Sequence, residues 1–172
     1  MSTLSVAATL RRSWAADLDP ATLYSLLRLR VGVFVVEQAC PYPELDGRDL
    51  EPRTRHYWLA EGASGGVGGV GGFGGRAVPG RVLGCLRLLK EPDGGYRIGR
   101  LCVEREYRGR GLARRLMDAV LAEVGDGHCV LDAQTSSVGL YSGLGFVAVG
   151  EPYDWDGIEH VPMSRARREL AS

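Results

Sequence analysis

Arg108-Gly109-Arg110-Gly111-Leu112-Ala113 lies between an apolar run, Ile98 to Val103, and a segment in which Leu112, Leu116, Val120 and Val124 recur every four residues. Strand composition ahead and a helical period behind place the two glycines where a strand turns into a helix. The first amides of a helix have no partner within it, and their aligned dipoles favour negative charge. Gly109 and Gly111 leave that backbone bare, and Arg105, Arg108, Arg110, Arg114 and Arg115 surround it with forked donors suited to phosphate oxygens. The turn therefore reads as a pyrophosphate site. The alternative is a capping glycine beside a solvated arginine face.

At 172 residues, 45% of them hydrophobic, the chain has the size of a single domain with one core. Its 21 basic and 21 acidic residues cancel, so nothing in the overall charge suggests a nucleic-acid or membrane partner. No apolar run approaches the roughly 20 residues of a membrane span. The N-terminus has no charged start followed by an apolar stretch, so no signal peptide is read and a cytoplasmic location is expected. Cys40, Cys85, Cys102 and Cys129 are widely spaced, with no Cys-x-x-Cys pair and no histidine at zinc-ligand spacing, so reduced thiols and no structural metal are expected.

Asp19-Pro20 marks a helix start, and Leu23, Leu26, Leu27 and the residues up to Phe34 supply its face. Cys40-Pro41-Tyr42-Pro43-Glu44-Leu45-Asp46-Gly47 must be a loop. His56 to Ala60 reads as a strand. The glycine-dominated stretch at about 62–80 reads as a flexible hairpin insertion, with a lid as the alternative. Val82 to Leu89 and Tyr96 to Val103 should form a hairpin around Glu91-Pro92-Asp93-Gly94-Gly95. A helix over 111–124, a buried strand from Cys129 to Ala133, a short helix from Ser137 to Leu144, a strand from Phe146, a tight turn from Tyr153 to Gly157 and a last strand from Ile158 to Met163 complete the chain. The order, helices first, then a meander, then β-α-β-α-β-β, predicts one α/β (α+β) domain over 1–172: a mixed sheet flanked by helices.

Ile98-Gly99-Arg100-Leu101-Cys102-Val103, then Tyr107 to Ala113, then Tyr141-Ser142-Gly143-Leu144-Gly145-Phe146 together resemble the GNAT superfamily of acyl-CoA-dependent N-acetyltransferases. Leu29-Arg30, Val33 to Gln38, Cys40-Pro41-Tyr42, Asp46-Gly47, Tyr153 and Asp156 to His160 resemble its ElaA-like branch. The resemblance runs from about Leu23 to Met163 and implies a mostly antiparallel sheet. It also implies that Arg108, Gly109, Arg110, Gly111, Leu112 and Ala113 wrap the pyrophosphate of acetyl-CoA. Leu101, Cys102 and Val103 would pair with the pantetheine arm like an added strand, and an amide there would polarise the thioester carbonyl. Gln134 and Ser137 stand where many relatives carry an asparagine near the pantetheine. Tyr141 falls where the family places an acid for the departing thiolate; its other reading is an aromatic on the buried face of a short helix.

Family chemistry is direct attack by a primary amine, on a small molecule or a peptide, within a ternary complex. Homodimers are common among relatives, and the sequence leaves the assembly open. The candidates for the base that deprotonates the amine are Glu37, Asp46, Glu104 and His160, with Glu37 first because it ends the helical region before the acceptor loop. His160 and His56 also read as structural strand residues. Cys102 reads as a packed strand residue rather than an acyl carrier, and Cys40, placed where it could be exposed, has no basic neighbour to activate it. Glu44, Asp46, Asp49 and Glu51 make the loop acidic, which is compatible with a small polyamine, an amino acid, an aminoglycoside-like compound or a protein amine as acceptor. Two other classes of function stay in view. A non-catalytic acyl-CoA sensor would keep the phosphate turn, with Tyr141 favouring the enzyme; a Walker-type nucleotide site would need Gly-Lys-Ser/Thr after the glycines, which is absent.

Overall fold

The computed structural model describes residues 7–61 and 80–166; the glycine-rich stretch therefore lies outside the described residues, apart from Gly80. The chain begins with a strand, β1 (Ala8–Trp14), ahead of helix α1 (Pro20–Arg30), so the expected order of helices first is corrected. The strands β2 (Arg55–Glu61), β3 (Val82–Lys90) and β4 (Tyr96–Val103) form an antiparallel meander. Helix α2 (Leu112–Val124) leads to β5 (Cys129–Gln134), and a short α3 (Val138–Ser142) leads to β6 (Val147–Ala148), β7 (Tyr153–Trp155) and β8 (Ile158–Arg165). The strand order is β1-β2-β3-β4-β5-β8-β6, with β7 also paired to β8. Among the described residues only β4 and β5 run parallel, so the sheet is mixed and mostly antiparallel.

Both faces of the meander are covered, which explains why β2 and β3 are apolar almost throughout. Leu112, Leu116, Met117, Val120 and Val124 of α2 pack with Tyr57, Leu59, Leu83 and Leu88 on one face. Leu26 and Val33 pack with Trp58, Ala60, Val82, Cys85 and Cys102 on the other. The N-terminus of α1 is held as its sequence predicts: Asp19 Oδ1 accepts from the amides of Ala21 and Thr22, with Pro20 in the first turn. Beyond Arg30 the helix widens into a π-turn, Val31–Glu37, in which the amides of Gln38 and Cys40 reach back five residues to the carbonyls of Val33 and Val35, each at 3.2 Å. Gly32 and a run of β-branched valines are poor α-helix formers, so the wider turn is tolerated here. Among the described residues no helix is long and apolar enough to cross a membrane.

Two local distortions open the sheet in its middle. The parallel pairing of β4 with β5 is confined to Tyr96 with Cys129 and Arg97 with Val130. Further along, the β3–β4 register slips between Cys85 and Arg87, placing a bulge at Arg100–Leu101. Arg100 adopts the left-handed conformation, φ +56°, which is uncommon for a residue with a side chain. Past the bulge β4 follows β3 while β5 follows β8, and the two central strands diverge.

Candidate active site

A cleft of about 770 Å³ occupies the divergence between β4 and β5. One end is the turn into α2. Gly109 (φ +71°) and Gly111 (φ +75°) both take left-handed conformations on either side of Arg110, so glycine is needed at each. The first amide of α2 with a backbone partner belongs to Arg115, which donates to Gly111 O at 3.0 Å, and no side chain caps the helix. Among the described residues the amides of Gly109 through Arg114 thus lack a backbone acceptor. A Cβ built on either glycine would meet nothing within 4 Å, so the space above these donors is open. Six amides without a backbone acceptor at a helix start are donors of the kind that meet an anion.

The arginines do less at this turn than their number suggests. Arg108 donates from Nε to Val103 O at 2.9 Å and from Nη1 and Nη2 to Glu37 at 2.5 and 3.0 Å. Arg110 turns away, donating to Glu106 O at 3.1 Å and lying over the Tyr107 ring. Arg115 is bonded to Ala8 O, and Arg114 pairs with Asp118. The guanidinium of Arg110 is thus bonded outside the cleft, while its backbone amide, through which the turn is expected to meet the pyrophosphate, stays among the donors without a backbone acceptor. The other expected cofactor contacts, Leu101, Cys102, Val103, Arg108, Gly109, Gly111, Leu112, Ala113, Gln134, Ser137 and Tyr141, all line the cleft.

Tyr141 is buried on α3, edge-on to Phe146 at 6.2 Å between ring centroids. Its ring does pack in the core, as its alternative reading had it, yet it also lines the cleft. Among the described residues its hydroxyl has no hydrogen-bond partner, and burial pushes its pKa up to about 12, so it stays protonated at neutral pH. Gln134, at the end of β5, exchanges two amide hydrogen bonds with Gln38 at 3.2 and 3.1 Å, tying the π-turn to β5. Gln38 reads in the sequence only as part of the stretch that carries the family resemblance, since no spacing links it to position 134.

Glu37 does not reach the cleft. It is clamped by Arg108, which holds its carboxyl below the usual carboxylate range, so it is a poor proton acceptor where the sequence placed the leading candidate. Glu104 is similarly occupied by Arg81, with a bond of 2.9 Å among its contacts. His56 is buried against Asp49 O at 2.9 Å and is structural. Cys102 is buried 3.7 Å from Cys85 Sγ; that contact and burial raise its pKa, as expected of a packed strand residue. Cys40 is buried rather than exposed, its thiol donating to Asp156 O at 3.1 Å.

The acidic loop is not a free negative surface. Arg30, 1% exposed, donates to Glu44 at 2.7 and 2.9 Å and to Asp49 at 2.5 and 3.1 Å. Arg87 donates to both oxygens of Asp46, at 2.8 and 2.7 Å, and to Asp49 at 3.0 Å. Arg100 reaches Glu44 O at 3.1 Å and Asp46 Oδ2 at 3.3 Å. Three arginines neutralise three carboxylates of the loop, and Glu51 pairs with Arg48 at 2.8 Å. The network ties the loop to Arg30 of the first helix, Arg87 of β3 and the bulge at Arg100, so its carboxylates are already matched by cations within the fold. Position 30 carried a signal: with Leu26 and Val33 it falls on the buried side of the helix.

Comparison with known proteins agrees with this geometry. Residues 77–167 match the acetyltransferase (GNAT) domain. The UPF0039 protein Rv2851c of Mycobacterium tuberculosis is 52% identical over 91% of this chain and 92% of its own length. Protein ElaA of Escherichia coli is 33% identical over 87% of this chain and 91% of its own. The crystal structure of an acyl-CoA N-acyltransferase from Pseudomonas aeruginosa superimposes with a TM-score of 0.78 at 36% identity, covering 93% of this chain and all of that one.

Proposed function

We propose, for a chain that belongs to the GNAT acetyltransferase family and to its ElaA-like branch, that it moves an acetyl group from acetyl-CoA to a primary amine by direct attack in a ternary complex. The chain is a transferase by family; the acetyl donor, the amine acceptor and the order of events are our reading. The observation that carries it is the row of unpaired amides from Gly109 to Arg114 at one end of the cleft whose wall also holds the unpartnered hydroxyl of Tyr141.

On this reading the pyrophosphate rests on the amides of the turn, where donors and helix dipole converge. The pantetheine arm lies in the divergence, against the backbone of Leu101 to Val103 beyond the bulge. An amide of that stretch stabilises the negative charge that builds on the thioester oxygen. As the carbon–sulfur bond breaks, Tyr141 donates its phenolic proton to the sulfur and recovers one from the nitrogen that has attacked. A thiol with an ordinary pKa near 8.5 is a fair leaving group, so the acid contributes a limited factor.

Tyr141→Phe keeps the ring and its edge contact with Phe146 but removes the proton. We expect kcat to fall by about tenfold to a hundredfold with coenzyme A affinity unchanged within a few fold, measured by thiol release over a panel of amines and by calorimetry. Full turnover in the variant, with chemistry rate-limiting, would return Tyr141 to a packing role. No turnover of any amine by the wild-type protein, despite tight coenzyme A binding, would favour a sensor instead.

A further inference from the structure

With Glu37 bound to Arg108, the other titratable groups on the cleft wall narrow quickly. Asp46 belongs to Arg87 and Arg100, and Asp132 to Arg97 at 2.7 Å. Burial pushes Tyr42 up to about 12, and burial together with Asp156 and Asp154 raises Cys40. His160 and Asp156 remain, and of the two only His160 presents a ring nitrogen whose partner nitrogen is fixed by a hydrogen bond.

We propose that His160 Nε2 takes the proton from the acceptor's ammonium group, and that the acceptor enters over the wall made by Trp155 and His160. The proposal rests on the amine-acetylation reading above. Its geometric basis is the other ring nitrogen: His160 Nδ1 lies 2.8 Å from Ile158 O. A carbonyl only accepts, so Nδ1 carries the hydrogen and Nε2 keeps its lone pair. The ring packs against Tyr153, stacked at 6.0 Å between centroids, and against Trp155, at 5.8 Å, the three rings forming a cluster in which Tyr153 and Trp155 are 6.5 Å apart. In the β5–β8 register His160 stands opposite Gln134, which places it at the diverging end of β5 on the same cleft as Tyr141.

The surroundings suit an alkylammonium acceptor. Trp155 is 45% exposed, and both it and Asp156 beside it line the cleft, an aromatic ring and a carboxylate of the kind that meet a cation. The charged groups around the ring are Asp154 and Asp156 from the β7–β8 hairpin, Glu159 on its own strand, and Asp132 with its partner Arg97 from β5 and β4. Tyr153, raised to about 12 by burial, stays neutral.

The three ammonium protons are then accounted for. One passes to His160 and on to solvent, one reaches the coenzyme A sulfur through Tyr141, and one stays on the amide nitrogen. The nitrogen–carbon bond forms as the carbon–sulfur bond breaks.

Two measurements test this. Nitrogen-15 NMR of the free wild-type protein should show His160 above its titration as the Nδ1–H tautomer; the Nε2–H tautomer would overturn the proposal without any acceptor in hand. His160→Phe keeps a ring in the stack but no lone pair, and His160→Gln keeps polarity but no base. Both should lower kcat by about tenfold to ten-thousandfold near neutral pH, leave coenzyme A affinity within a few fold, and recover as pH rises and free amine becomes abundant. Full activity in His160→Phe, or an equal loss at every pH, would assign the residue to packing. A wild-type protein that acetylates no amine would instead sink the transfer reading on which the proposal rests.

Discussion

Replacing Arg30 with Met is expected to destabilise the protein by about 3–5 kcal/mol, because it breaks two buried ion pairs at once and leaves Glu44 with Arg100 alone and Asp49 with Arg87 alone in a part of the fold that water scarcely reaches. For a domain of this length that corresponds to a fall in Tm of roughly 10 °C. Burial by itself would lower the pKa of Arg30, but its bonds to Asp49 and Glu44 outweigh burial and leave it raised, so the guanidinium stays charged throughout the working range. Arg30→Lys keeps the charge but loses the fork that serves two carboxylates at once, and should fall between the two. A Met variant within about 1 kcal/mol of wild type would mean that the buried pairs contribute little.

The pH dependence carries its own sign. Burial tends to raise the carboxyls of Asp46 and Asp49, but Arg87 and Arg30 overcome it and hold both below the usual range. A depressed carboxylate contributes stability that is present above its unfolded pKa, near 3.9, and is lost as pH falls through the folded value. Wild type should therefore weaken in acid. In Arg30→Met, Asp49 has lost one of its two cations while Asp46 keeps both of its own, so burial raises the Asp49 carboxyl and its protonation relieves the variant. The gap in Tm between the two proteins should shrink from about pH 8 to about pH 5, as thermal scans would show.

The contrast between Arg30 and Gly111 shows what the chain declares locally and what it does not. The strand, turn and helix from Ile98 to Val124 are written in adjacent residues, and the structure follows them closely. Arg30 sits at a helical spacing that a reader of apolar period assigns to the core, yet its partners lie 14 and 19 residues away in a loop with no periodicity. β1 escaped notice because it is an edge strand with a mostly exposed run, Thr9 to Arg12, which shows no alternation. The pairing of Gln38 with Gln134, and of His160 with the end of β5, depends on registers between distant strands, and these follow only from the assembled sheet. For the same reason sequence position favoured Glu37 as the base: proximity to the loop was visible, but the bond to Arg108, 71 residues on, was not.

Gly111→Val should lower coenzyme A affinity by about a hundredfold or more while leaving a folded protein. The residue sits at φ +75°, where a β-branched side chain is strained by about 1–2 kcal/mol, and the new methyl groups would project into the open space above the unpaired amides. Each hydrogen bond to a charged oxygen is worth about 1.5–3 kcal/mol, so losing one or two yields the expected factor. The ligand series locates the effect. Coenzyme A should lose affinity in the variant, whereas pantetheine, which lacks the pyrophosphate but would still lie against β4, should bind wild type and variant alike. Calorimetric titration of both ligands decides the matter, with circular dichroism to confirm folding. If the variant weakens both equally, the turn shapes the whole cleft rather than holding phosphate; if it weakens neither, the amides of Gly109 to Arg114 are not the anion site.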